Sequence, residues 1–81
     1  MILIINCTKG LEFAFLSNEG MIFQKKSNQL RNISEKLIVE IENSLLKIGA
    51  DYKSVKKIII VTGPGSFTGI RSSITFAKTL R

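Results

Sequence analysis

Residues 58–71 read IIIVTGPGSFTGIR, an apolar run followed by a loop rich in glycine. The run from Ile58 to Val61 has the continuous β-branched composition that is typical of a strand buried on both faces. Gly63, Pro64 and Gly65 follow it, and these residue types turn the chain sharply. The stretch therefore predicts a buried strand that ends in a tight turn.

A helix is predicted directly after this turn, from Phe67 to Arg81. Apolar residues recur through this segment at the three- and four-residue spacing of one helix face. The predicted apolar stripe comprises Phe67, Ile70, Ile74, Ala77 and Leu80.

The segment before residue 30 carries the pattern of three strands. Met1–Ile5 is a second continuous apolar run and is also expected to be buried on both faces. Leu11–Ser17 and Met21–Lys25 read as two strands joined by a short turn that contains glycine, which indicates a β-hairpin.

A first helix is predicted between these strands and the apolar run at residues 58–61. Asn32 is placed to cap it with its side chain, Glu35 is placed to complete a capping box, and Gly49 supplies the stop. Val39 and Leu46 fall outside the apolar stripe and predict a second apolar surface. The expected stripe comprises Leu37, Ile38, Ile41, Leu45 and Ile48.

The resulting order, β-β-β-α-β-α, predicts an α/β fold with a mixed sheet. A hairpin supplies antiparallel strands, and a strand–helix–strand unit supplies a parallel pair through a right-handed crossover. The length of 81 residues allows one small domain, spanning residues 1–81.

The glycine loop allows two interpretations. It is a structural turn, or it contacts an anion or nucleotide through the N–H groups at the start of the following helix. It fits neither the P-loop, which requires a lysine, nor the dinucleotide fingerprint, because the spacing is G-x-G-x-x-x-G. Arg71, one turn into the helix, is a candidate contact for a phosphate or for an acidic group on a partner. The candidate binding residues are Gly63, Pro64, Gly65, Ser66, Thr68, Gly69 and Arg71.

Small residues occupy one flank of the last helix. Gly69, Ser73 and Ala77 are spaced four residues apart and predict a flat surface. Either a partner helix or the domain's own first helix could pack there. With Val39 and Leu46, these three residues complete the candidate partner interface.

Composition excludes several kinds of chemistry. The chain has no histidine and one cysteine, so imidazole-based catalysis, a cysteine metal cluster and an intrachain disulfide are ruled out. No metal site, cofactor or catalytic residue is predicted. Neither a leader peptide nor a membrane-length apolar run is recognisable, and a cytoplasmic location is expected. A net charge of +6 favours contact with polyanions without identifying one.

The string GPGSFTGIR, residues 63–71, resembles the hallmark of the TsaB (YeaZ) family. Residues 1–8 resemble the opening strand and turn of that family, and residues 34–49 resemble its first helix. Two positions depart from the family pattern: Asn6 stands where aspartate is usual, and Ile33 stands where histidine is usual. The resemblance covers the whole chain but only the N-terminal half of the family's protein, so the second lobe is expected to be absent.

The resemblance implies the fold of the actin, Hsp70 and sugar-kinase group, which is related to ribonuclease H. It implies a non-catalytic subunit in the synthesis of threonylcarbamoyladenosine in tRNA, which binds the catalytic subunit TsaD, with TsaE joining the assembly. A homodimer is a further expectation, and tRNA is contacted only indirectly. Two alternatives stay open: an actin-like lobe that binds nucleotide, and a basic RNA-binding module.

Overall fold

The computed structural model describes residues 1–28 and 31–79. The elements follow the predicted order β-β-β-α-β-α, and this prediction is confirmed. Leu80 and Arg81, which the sequence assigns to the last helix, lie outside the described residues. The elements are β1 (Ile2–Ile5), β2 (Leu11–Ser17), β3 (Gly20–Ser27), α1 (Ile33–Lys47), a 3-10 turn (Tyr52–Ser54), β4 (Lys57–Ile60) and α2 (Phe67–Thr79).

The four strands form one mixed sheet in the order β3-β2-β1-β4. β2 pairs antiparallel with both β1 and β3, whereas β4 pairs parallel with β1. Leu3 lies opposite Phe15 on one side and Ile58 on the other. Side chains that lie directly opposite each other point to the same face, so these three share one face of the sheet.

Both helices pack on that face and enclose the core. Phe13 and Phe15 meet edge to face, with ring centroids 5.8 Å apart, and α1 covers them. The buried apolar cluster draws from β1, β2, α1 and α2, and comprises Leu3, Ile5, Cys7, Leu11, Phe13, Phe15, Ile33, Leu37, Ile41, Leu45 and Phe76.

The prediction that both apolar strands are buried on two faces is wrong. Ile2 and Ile4 of β1 are half-buried, and Ile59 of β4 is 39% exposed. Both described helices lie on the opposite face, next to Leu3 and Ile5. A continuous apolar run therefore supplies a buried face and an open apolar face in the described structure.

The first helix differs from its prediction at its N-terminus and in its stripe. Asn32 adopts a left-handed conformation (φ 54°, ψ 38°) and makes no side-chain capping bond. A capping side chain needs an extended backbone, which Asn32 lacks. Ile33 joins the buried face, while Ile38 is 44% exposed and Ile48 is half-buried. The stop at Gly49 (φ 69°) is as predicted.

The predicted apolar stripe of α2 is also wrong. Phe67 is 74% exposed and Ile74 is 37% exposed, while Ile70 and Ala77 are half-buried. The helix turns a different face inward, because its small residues approach the end of β1 closely. The residues that are buried are Gly69, Ser72, Ser73 and Phe76.

Neither helix of the described ranges has the length and apolarity needed to cross a membrane. Among the same residues, no group of three or more cysteine, aspartate or glutamate side chains is placed to hold a metal ion.

Candidate functional site

The glycine loop and the first turn of α2 pack directly on the turn that follows β1. Gly65 has a φ of 155°, and a Cβ atom there would lie 2.6 Å from the carbonyl oxygen of Thr8. A Cβ atom at Gly69 would overlap the carbonyl oxygen of Cys7. Both positions therefore require glycine for close approach of two backbone segments.

Ser66 links the loop to the turn after β1 and caps α2. Its N–H donates to the carbonyl oxygen of Thr8 at 2.6 Å. Its hydroxyl accepts a hydrogen bond from the N–H of Gly69 at 3.2 Å, which is the geometry of a helix N-cap. Two N–H groups near the start of the helix are thus engaged within the protein. This geometry favours a structural role for the loop, and the predicted anion contact stays a prediction.

The turn after β1 is held by Asn6. Its side-chain oxygen accepts from the N–H of Thr8 at 3.2 Å and from the Thr8 hydroxyl at 2.6 Å. Thr8 is only 8% exposed. An aspartate carboxylate would accept the same two hydrogen bonds, so the asparagine preserves the local structure while removing the negative charge.

A polar cavity of about 310 Å³ lies beside this turn. It contains both signs of charge, because Glu12 faces it together with Lys9 and Lys26. Its lining residues are Asn6, Thr8, Lys9, Gly10, Glu12, Lys26, Ser27 and Asn28.

A second candidate site is the groove between α1 and α2. The hydroxyls of Ser34 and Ser72 are 2.7 Å apart and join the two helices. Arg71 lies beside them, and its guanidinium carbon is 5.8 Å from the centroid of the Phe67 ring. This end of the groove is a cavity of about 250 Å³ lined by Ser34, Thr68, Arg71, Ser72 and Thr75.

The groove continues into a more apolar cavity of about 280 Å³. Ile38 and Phe76 contribute its apolar wall, and Glu42 and Tyr52 its polar end. Burial, together with the charge of Glu42 and a hydrogen bond to its carboxylate, raises the pKa of Tyr52 to about 12. Tyr52 therefore keeps its proton to a higher pH than an ordinary tyrosine does.

Large apolar side chains are exposed on both helices. Those of α1 are Ile38, Val39 and Leu46, and those of α2 are Phe67 and Ile74; Leu46 is the most exposed of them, at 76%. The predicted exposure of Val39 and Leu46 is thus present. We call these five residues the outer helical face.

The small residues of α2 do not form the open flank that the sequence predicted. Ser73 is 0% exposed, and its hydroxyl donates to the carbonyl oxygen of Gly69 at 2.9 Å. Gly69 abuts Cys7, so both residues pack within the domain and only Ala77 keeps some exposure. Their burial favours packing within the domain, which was the alternative left open, and the interface role of Gly69 and Ser73 stays a prediction.

Sequence reasoning missed the hydroxyl-lined groove. Thr68, Ser72 and Thr75 recur at spacings of four and three residues, which places them on one side of a helix. This spacing indicates a hydroxyl-lined side of α2. Nothing in the sequence indicates that Ser34 of α1 lies against it.

Comparisons with known proteins agree with the fold. The sequence profile of a family described as TsaD, tRNA N6-adenosine threonylcarbamoyltransferase, matches residues 22–81. The chain is similar to YeaZ from Pseudomonas aeruginosa, with a TM-score of 0.82 and 22% identity over 98% of its length. It is also similar to a structure described as an uncharacterized protein with similarity to peptidase YeaZ from Pseudomonas aeruginosa, with a TM-score of 0.78 and 22% identity over 98% of its length. No curated protein matches the chain.

The chain spans 36% and 37% of the lengths of these two solved chains. The expected likeness to YeaZ and to its α/β lobe is therefore confirmed at the level of the fold. The profile match begins at residue 22, so it contains the glycine loop and the outer helical face but neither β1 nor Asn6.

Proposed function

Because this chain belongs to the TsaD family of tRNA N6-adenosine threonylcarbamoyltransferases, we propose that it is a non-catalytic partner subunit of the tRNA threonylcarbamoyladenosine machinery. In this proposal, residues 1–81 act as one lobe that binds the catalytic subunit TsaD, and TsaE joins the same assembly. The protein acts in the cytoplasm. It contacts tRNA only indirectly, through the other subunits of the complex.

The observation that carries the proposal is the outer helical face. Leu46 and Phe67 are 76% and 74% exposed, the two highest values among the large apolar side chains of this face. Large apolar side chains that stay exposed on a folded protein are candidates for burial against a partner. Each Å² of apolar area that a partner buries stabilises the complex by roughly 25 cal/mol. A partner helix that covers these side chains would therefore gain binding free energy.

The chemistry of the chain supports the non-catalytic half of the proposal. The sequence contains no histidine, so general acid–base catalysis by imidazole is not possible. Cys7 is completely buried beneath α2, and the side-chain oxygen of Asn6 is used to hold Thr8. The Cys7 thiol and the Asn6 side chain therefore have structural roles.

The experiment mixes the purified chain with TsaD and measures molar mass by light scattering. A mass equal to the sum of the two chains is expected. Leu46→Glu should weaken the complex at least tenfold, because it places a charge in the apolar contact. Met21→Glu is the matched control, since Met21 is 58% exposed on the β-hairpin and lies outside the proposed face.

Two results would contradict the proposal. One is the absence of a complex when circular dichroism shows a folded chain. The other is an equal loss of affinity from Leu46→Glu and Met21→Glu, since that would place the contact elsewhere.

A further inference from the structure

The groove between α1 and α2 is continuous and has two chemically different ends. Its two cavities share Ser34, Ser72 and Thr75, so they are parts of one depression. Arg71 stands at one end, and Glu42 stands at the other. The groove thus presents a positive end and a negative end, with hydroxyls and apolar side chains between them.

We propose that this groove binds an acidic side chain of the partner subunit, with Arg71 as the residue that holds its carboxylate. The inference rests on the proposed function and deepens it by naming the chemistry of the partner surface. Arginine presents its donors as a planar fork that matches the two oxygens of a carboxylate. The hydroxyls of Thr68 and Thr75 line the same cavity and can act as further donors.

Arg71 is positioned for this contact before a partner arrives. Its guanidinium lies over the ring of Phe67, an arrangement that holds the group by cation–π attraction and leaves its edge N–H donors free to bind. Within residues 1–28 and 31–79, the recorded salt bridge joins Lys25 to Glu40, and no carboxylate pairs with Arg71. The charge of Arg71 is therefore unmatched in the described structure.

A protein carboxylate fits the groove better than an RNA phosphate does. Arg71 is the one cation that lines either cavity in the described part of the chain, whereas binding of a nucleic-acid backbone uses several cations along a track. Glu42 would repel a polyanion that followed the groove. Ile38 and Phe76 line the more apolar cavity, and apolar side chains suit the methylene stem of an acidic residue and its neighbours.

The test measures the affinity of TsaD for the wild-type chain and for three variants by isothermal titration calorimetry. Arg71→Gln should weaken binding at least tenfold, which corresponds to about 1.4 kcal/mol. The affinity of Arg71→Lys should lie between those of the wild type and Arg71→Gln, because lysine keeps the positive charge but lacks the planar fork of donors. Lys78→Gln, the matched control, removes the same charge from an exposed site two turns along α2 and should change affinity less than twofold. The wild-type affinity should also weaken with added salt more steeply than that of Arg71→Gln.

The outcomes separate this inference from the proposed function. If TsaD binds but Arg71→Gln and Lys78→Gln behave alike, the carboxylate contact is overturned while the partner role stands. If the wild-type chain does not bind TsaD at all, both fall. If Arg71→Gln leaves TsaD binding intact but abolishes binding of tRNA alone, the groove takes phosphate and the inference is overturned.

Discussion

The backbone of Gly69 lies against the carbonyl oxygen of Cys7, and no Cβ atom fits between them. This contact fixes how α2 is rotated about its axis. At 100° per residue, Phe67 and Ile74 lie roughly on the opposite side of the helix from Gly69. One backbone contact therefore explains why small residues are buried in α2 and large apolar residues are exposed.

Gly69→Ala should destabilise the protein even though alanine is the better helix former. The new methyl group would overlap the backbone of Cys7, which cannot move aside as a flexible side chain can. We expect the overlap to lower the free energy of unfolding by about 3 kcal/mol or more, at the upper end of overpacking effects. The higher helix propensity of alanine offsets only about 1 kcal/mol of this loss. Urea unfolding followed by circular dichroism measures the difference.

Gly49→Ala is the control for Gly69→Ala. Gly49 has a φ of 69°, but a Cβ atom there would meet nothing within 4 Å. The only cost of Gly49→Ala is that alanine must adopt the left-handed conformation. We therefore expect the free energy of unfolding to fall by about 1 kcal/mol. Equal losses from the two variants would show that the contact between Gly69 and Cys7 does not determine the packing of α2.

Asn6→Asp should leave stability nearly unchanged, within about 0.5 kcal/mol, whereas Asn6→Ala should cost about 1–3 kcal/mol. A carboxylate can accept the hydrogen bonds from the N–H and hydroxyl of Thr8, but a methyl group can accept neither. Thermal unfolding of the two variants beside the wild type makes the comparison. Equal destabilisation by both changes would mean that the bonds to Thr8 contribute little.

Much of the fold is readable from the sequence because local patterns determine it. The turn at 18–20 forms the hairpin, Gly49 ends α1, and the loop at 63–66 joins β4 to α2. What the sequence does not reveal depends on neighbours distant in the chain. A run such as Ile58–Val61 has the same composition whether one or both of its faces are covered, and here only one is covered by described elements.

The candidate site is less readable for the same reason. Hydrophobic periodicity places the apolar residues of a helix inward, yet in α2 the approach of Gly69 to Cys7 outweighs that preference. The groove depends on Ser34 meeting Ser72, and these residues are 38 positions apart. Asn32 has the composition of a cap, but its left-handed backbone prevents the capping bond.

The protonation of Tyr52 offers a direct measurement at the end of the groove that contains Glu42. Its pKa is raised from 10.0 to about 12, first by burial and then by the charge and hydrogen bond of Glu42. The folded protein therefore keeps this proton to a higher pH than the unfolded chain does. The contribution to stability is complete below pH 10 and is lost as the pH rises through about 12.

Glu42→Gln should lower the pKa of Tyr52 towards 10, although burial should keep it above that value. The chain has one tyrosine and no tryptophan, so ultraviolet absorbance of the phenolate reports this residue alone. Glu35→Gln is the matched control, because it removes the same charge from an exposed site on α1 outside the groove. A wild-type midpoint near 10, or equal shifts from the two variants, would show that Tyr52 and Glu42 are not paired and that the negative end of the groove is organised differently.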